Sequence, residues 1–173
     1  MIISELKTNL GFNGLSVLYH IARVLAAGGE LERVMSDVLE ILEIHAGMNR
    51  GAISILSADN SQLLLDVARG ISESEIRRGK YRPGEGITGK VVSTGTSILV
   101  PRLKDEPEFL NRTGARTHLE HSNIAFLCVP IKAGEMVVGA LSVDRVHTPV
   151  TEVHLEDELR FLEAIADLIA QVV

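Results

Sequence analysis

The sequence predicts an α+β fold, an antiparallel sheet packed against helices. Three observations carry this. Two amphipathic helical stretches open the chain, apolar runs of strand length then pair across short polar turns, and a long helical stretch closes it. The strand candidates come in hairpin pairs and not in strand–helix–strand units, so a parallel sheet is not expected.

Residues 15–27, LSVLYHIARVLAA, place Leu18, Ile21, Ala22 and Leu25 on one helical face, and Gly28-Gly29 stops them. The next stretch, LERVMSDVLEILEIHAG, repeats the pattern with Leu31, Val34, Met35, Val38, Leu39 and Leu42, ending at Gly47. The period then changes. GAISILS and LLLDVARG flank the turn-rich ADNSQ and predict a hairpin. A glycine-rich helix follows, then a strand, SILV, ended by Pro101. NIAFLCVPI and MVVGALSVDR predict a second hairpin around KAGE, with Gly134 at the turn. Pro130 points to an edge position or a bulge near its strand's end. In the closing helix, Thr151 is the predicted N-cap, and Glu152, Glu156 and Asp157 bring negative charge to the positive helix end. Residues 1–14 form an N-terminal segment and 15–173 one domain, of ordinary size for a single core.

Composition narrows the function. The 173 residues are 46% hydrophobic and 23% charged, an ordinary globular balance. Aromatics make up 3%, with no Trp, and the formal net charge is −6. Both argue against direct contact with nucleic acid, which needs stacking platforms or basic surfaces. The one cysteine, Cys128, forbids an internal disulfide and a multi-cysteine zinc or iron–sulfur centre within one chain. No secretory leader and no apolar run near the roughly 20 residues of a membrane span is visible. A soluble cytoplasmic domain is expected.

Gly84, Gly86 and Gly89 spell the G-x-G-x-x-G of a dinucleotide-binding turn. That turn needs a buried parallel strand before its first glycine, and EIRRGKYRP cannot supply one. The alternative is structural: Pro83 fixes the approach, Gly84 and Gly86 permit a tight bend, Gly89 lets a short helix lie close to the sheet, and Gly95 ends it. No cofactor is expected. The basic cluster Arg77, Arg78, Lys80 and Arg82 reads as a solvated turn. No nucleophile elbow, zinc-protease helix or phosphate loop is present, so no catalytic residues are assigned.

In the last helix, Leu155, Leu159, Leu162, Ala166, Ile169 and Val173 recur with the spacing of a coiled-coil seam. Phe161, Ile165, Leu168 and Val172 form a second stripe beside it. Either the first stripe serves a homodimer and carries a signal onward, or both belong to one wide buried face. The helix meets no Gly, Asn or Pro terminator and is expected to continue towards a downstream output domain.

The run YRPGEGITGKVVSTGTSILVPRL, followed by DEPEFLNR, FLCVPIKAGEMVVGALSVDR and RFLEAIADLIAQVV, resembles the GAF domains, and among them the regulatory GAF domains of NifA-type nitrogen-fixation activators. The likeness runs from about Leu15 to Val173. It implies a sheet of about six antiparallel strands with helices on both sides, and a small ligand held between the sheet and its helical roof. It also implies allosteric control of a downstream AAA+ ATPase acting on sigma-54 RNA polymerase. The partners it implies are 2-oxoglutarate or another small carboxylate, and an anti-activator protein such as NifL. Residues 102–123 would border the ligand pocket. The candidate ligand-binding set is therefore Thr88, Arg102, Arg112, Arg116, His118, His121 and Cys128. An arginine fork suits a carboxylate, while the same arginines beside Asp105, Glu106, Glu108 and Glu120 also read as solvated loop charges. His118 and His121 lack a clear third ligand, so no metal is assigned. Cys128 reads equally as a small buried apolar residue. A protein-interaction and dimerisation module without a small ligand is the alternative function.

Overall fold

A computed structural model of the chain describes residues 12–117, 123–146 and 154–173. Helices α1 (Gly14–Ala27) and α2 (Leu31–Ala46) lead into strands β1 (Asn49–Leu56) and β2 (Leu63–Ala68). A short helix α3 (Glu73–Arg78) and a two-residue strand β3 (Lys80–Tyr81) precede the roof helix α4 (Gly86–Thr94). Strand β4 (Ile98–Val100), the long hairpin β5 (Ile124–Ala133) and β6 (Met136–Val146), and helix α5 (Leu155–Ile169) complete the order. The strands form one six-stranded sheet, β3-β2-β1-β6-β5-β4, with every neighbouring pair antiparallel. This is the α+β arrangement expected.

Period-2 alternation gives the sheet two buried faces. Ile53, Leu127, Val129, Leu141 and Val143 meet α1, α2 and α5 on one side. Phe126, Cys128 and Ala140 meet Ile87, Val91 and Val92 of α4 on the other. Pro130 lies past the last residue of β5 paired to β4, and the β5–β6 register shifts between Ile131 and Lys132, so both of its expected settings occur together. The α1 face is Val17, Ile21 and Leu25, with Leu18 only half-buried, a small rotation from the expected stripe. Gly47 and Gly95 end α2 and α4 in the left-handed region, their N–H groups closing onto Leu42 and Val91 carbonyls. The α3–β3 segment is absent from the sequence reading. A six-residue helix is too short to show a period, although its Ser72–Glu75 capping box is legible in hindsight. The predicted N-cap Thr151 lies outside the described residues.

The terminal helix requires a correction. Leu155, Leu162, Ala166 and Ile169 of the supposed seam are buried in the domain's own core, together with Phe161 and Ile165 of the second stripe. The two stripes are one wide face spread over a broad sheet. Leu159 and Leu168 are half-buried, and only Val172 and Val173, past the helix end, are exposed. At about 1.5–3 kcal/mol per buried large apolar side chain, α5 is held to the sheet by on the order of 10 kcal/mol before entropy. A partner helix cannot meet the inward four side chains.

Candidate functional site

The roof begins where β3 ends. Residues 82–85 form a closed turn: the Glu85 N–H donates to the Arg82 carbonyl at 2.9 Å, and the Arg82 N–H donates to Glu85 Oε2 at 2.9 Å. Gly84 and Gly86 sit at φ 85° and 63°, which only glycine adopts cheaply. Gly89 has a different task from the one expected. A Cβ there would stand 2.4 Å from the Arg82 carbonyl oxygen, so Gly89 admits the preceding turn, not the sheet. The strand before these glycines is an antiparallel edge strand of two residues. Glu85, at the N-cap of α4, has its carboxyl held below the usual range by the Arg82 N–H and by Arg112. A pyrophosphate at this bend would face a carboxylate.

Beside the roof lies a cavity of about 40 Å³, walled by Tyr81, Thr88, Phe109, Thr113 and Arg116 above Ser54, Phe126 and Ser142. Its dominant feature is a buried fork. Arg116 Nε donates to Asp144 Oδ2 at 2.8 Å and Nη2 to Oδ1 at 2.6 Å. Arg50 Nη1 adds a longer contact to the same Oδ2 at 3.4 Å. Side-chain exposure is 7% for Arg116 and 0% for Asp144, so the two charges depend on each other. The guanidinium also lies over the rings of Phe109 and Phe126, at 4.9 and 5.5 Å, where the ring faces favour a cation.

Three arginine ties fasten the segment over the cavity. Besides Arg116, Arg112 donates to the Lys80 carbonyl at 2.6 Å, pairs with the Glu85 carboxylate and lies 5.3 Å over the Tyr81 ring. Arg78 Nη2 donates to the Thr113 carbonyl at 2.6 Å. Burial raises the Tyr81 hydroxyl's pKa, with Arg116 and Arg112 opposing it.

Of the candidate set, Thr88 and Arg116 line the cavity. Arg112 braces its cover from outside. Cys128 is fully buried in the layer beneath α4, hydrogen-bonded to the Thr88 side chain, and burial pushes its thiol up to about 12. It holds essentially no thiolate at neutral pH and is not a nucleophile as placed. Arg102 is exposed after β4 and does not line this cavity. His118 and His121 lie outside the described residues. Among the described residues no group of three potential metal ligands occurs, and no helix is long and apolar enough to cross a membrane.

Sequence reasoning missed Asp144, Ser54, Ser142 and Tyr81. One signal was available. In ALSVDR, alternation puts Asp144 on the same face as Ser142 and Ala140, and a carboxylate on a buried strand face demands a cation.

Comparison with known proteins agrees with this architecture. The family model described as GAF domain matches residues 30–173. The chain is 37% identical over 159 residues to a Nif-specific regulatory protein of Azospirillum lipoferum, covering 92% of this chain and 25% of that protein. It is 36% identical over 172 residues to the nitrogen fixation protein VnfA of Azotobacter vinelandii, covering 99% and 32% respectively. The chain thus spans a quarter to a third of the length of these relatives. Among solved structures, the A. aeolicus nlh2 GAF domain in an inactive state superposes with a TM-score of 0.80 at 23% identity, covering 92% of this chain and 94% of that one. At that identity the likeness speaks for the fold alone.

Proposed function

The chain belongs to the GAF domain family, and from that premise we propose that it is the regulatory sensor domain of a NifA-like nitrogen-fixation activator. In this reading it works in the cytoplasm, transforms no substrate, and controls a downstream AAA+ ATPase of the sigma-54-dependent kind. The similarity to the Azospirillum and Azotobacter regulators over nearly the whole of this chain supports it.

One observation carries the sensing part: Arg116, held in its fork by Asp144, lines a cavity where Ser54, Thr88, Thr113 and Ser142 meet the rings of Tyr81, Phe109 and Phe126. Polar groups converging beside an apolar pocket are what a small-ligand site requires. A small carboxylate such as 2-oxoglutarate suits the Arg116 fork in kind, but Asp144 already occupies one full edge of it. A carboxylate ligand therefore binds by exchange with Asp144, and its entry needs the cover over residues 103–117 to lift. Calorimetric titration with 2-oxoglutarate, paired with native mass spectrometry of freshly purified protein, tests this. Binding that is abolished in Arg116→Met supports the reading. No heat, no thermal stabilisation and no co-purified small molecule remove it.

The second reading is an interaction module with no small ligand, and the cavity's size favours it. About 40 Å³ accommodates roughly one water. In both readings the partners are a second copy of the chain and an anti-activator of the NifL kind. With the inner stripe of α5 spent in the core, the homodimer would use exposed apolar groups such as Leu15 and Tyr19 of α1 and Val172 and Val173. Sedimentation at high concentration that finds only monomer removes the dimer.

A further inference from the structure

Consecutive residues of β6 hold the two sides of the domain. Asp144 points to the cavity face, where it is fully buried and grips Arg116. Arg145 points to the opposite face. There its Nη1 donates to the carbonyls of Ala46 and Gly47, at 2.9 and 3.0 Å, and its Nη2 donates to Glu158 Oε1 at 3.0 Å. Those carbonyls end α2, and Glu158 stands in the first turn of α5. Side-chain exposure is 16% for Arg145 and 3% for Glu158, so this pair too is held away from water.

A third observation concerns the neighbouring strand. The β1–β6 register breaks between Asn49, paired with Asp144, and Ala52. Arg50, inside that irregularity, has φ 44° and reaches Asp144. A bulge loosens the ladder and re-aims side chains. Here it falls opposite Asp144, the fully buried charge of β6, next to the half-buried Arg145.

We propose that the Asp144–Arg145 dipeptide is the coupling element that transmits the state of Arg116 to the start of α5. In a strand, adjacent side chains share a backbone with only two soft dihedrals per residue, so a backbone shift that re-aims one disturbs the other. Buried charges make the change discrete, because intermediate positions leave a charge unpaired. When Arg116 leaves Asp144, the carboxylate retains Arg50, the end of β6 facing the β1 bulge shifts towards it, and Arg145 is drawn off Glu158 and the end of α2. Arg145 and Glu158 are positioning residues in this device. The inference rests on the sensor reading only in taking α5 as the output.

Hydrogen exchange of the ligand-free, 173-residue chain tests it, so its failure is distinct from a failure to bind ligand, which calorimetry reports. Arg116→Met is expected to speed exchange in residues 155–162 by about tenfold. Val92→Ala, which loosens the α4 layer without touching either ion pair, leaves 155–162 unchanged. Coupling is reciprocal, so Glu158→Gln is expected to speed exchange over residues 109–117. Adding Arg116→Met to Glu158→Gln gives no further change in α5. Should Arg116→Met fail to fold, Asp144→Asn and Glu158→Gln supply the same two-way comparison. Exchange confined to the mutated face in both directions, or an equal response to Val92→Ala, overturns the proposal.

Discussion

Arg116 and Asp144 show how far residue identity reaches. Arg116 belongs to the candidate set by its chemical type and by the resemblance that puts residues 102–123 at the pocket, but Asp144, 28 positions away, becomes its partner only through the pairing of β5 with β6. An exposed arginine among acidic neighbours and a buried arginine in a fork look the same in one dimension. Breaking one member of a buried pair leaves the other uncompensated. Asp144→Asn is therefore expected to destabilise the domain by about 3–5 kcal/mol, read from denaturant unfolding. Arg116→Lys is expected to lower stability as well, since an ammonium cannot present two parallel donors to Asp144. Cys128 offers a second check at this scale. With its thiol raised to about 12 and no surface exposure, it is expected to resist iodoacetamide in the folded protein at pH 8 and to react only in denaturant. Rapid labelling of native protein contradicts its placement.

At the scale of elements, periodicity carried most of the fold. The two opening helices follow from their apolar period, both hairpins from short apolar runs across turn residues, and the roof from its glycine-rich run. Elements too short to have a period did not: β3 is two residues and α3 is six. The terminal helix failed for another reason. A stripe of six apolar positions is the same pattern whether a sheet or a second helix covers it, and the sheet's breadth decides. The glycine run was legible as structural, while the task of Gly89 was visible only once the turn at Arg82 closed on it. Gly89→Ala drives a Cβ into backbone, which cannot yield as a flexible side chain does. It is expected to cost at least as much as a severe overpacking substitution, about 3 kcal/mol, and to lower the thermal midpoint accordingly. An alanine variant as stable as the parent contradicts the close approach.

For the whole molecule, stability should depend on acid through an exposed turn. Asp59 accepts from the Ser57 hydroxyl at 2.6 Å and from the Ser61 hydroxyl and N–H at 2.7 and 3.0 Å, which brings its carboxyl from 3.8 down to about 2. A carboxyl depressed in the folded state contributes above its unfolded value, and that contribution fades as pH falls from near 4 towards 2. Asp59→Asn should flatten the stability profile in that window and leave the remainder of the acid limb in place. A profile unchanged between pH 4 and 2 refutes the turn's part. The sheet's outline has a wider consequence. Its two borders are strands of two and three residues, and Pro130 removes a donor where β5 runs on past β4. Neither border strand is long enough to template an extended added strand, and fibrous stacking is discouraged by construction.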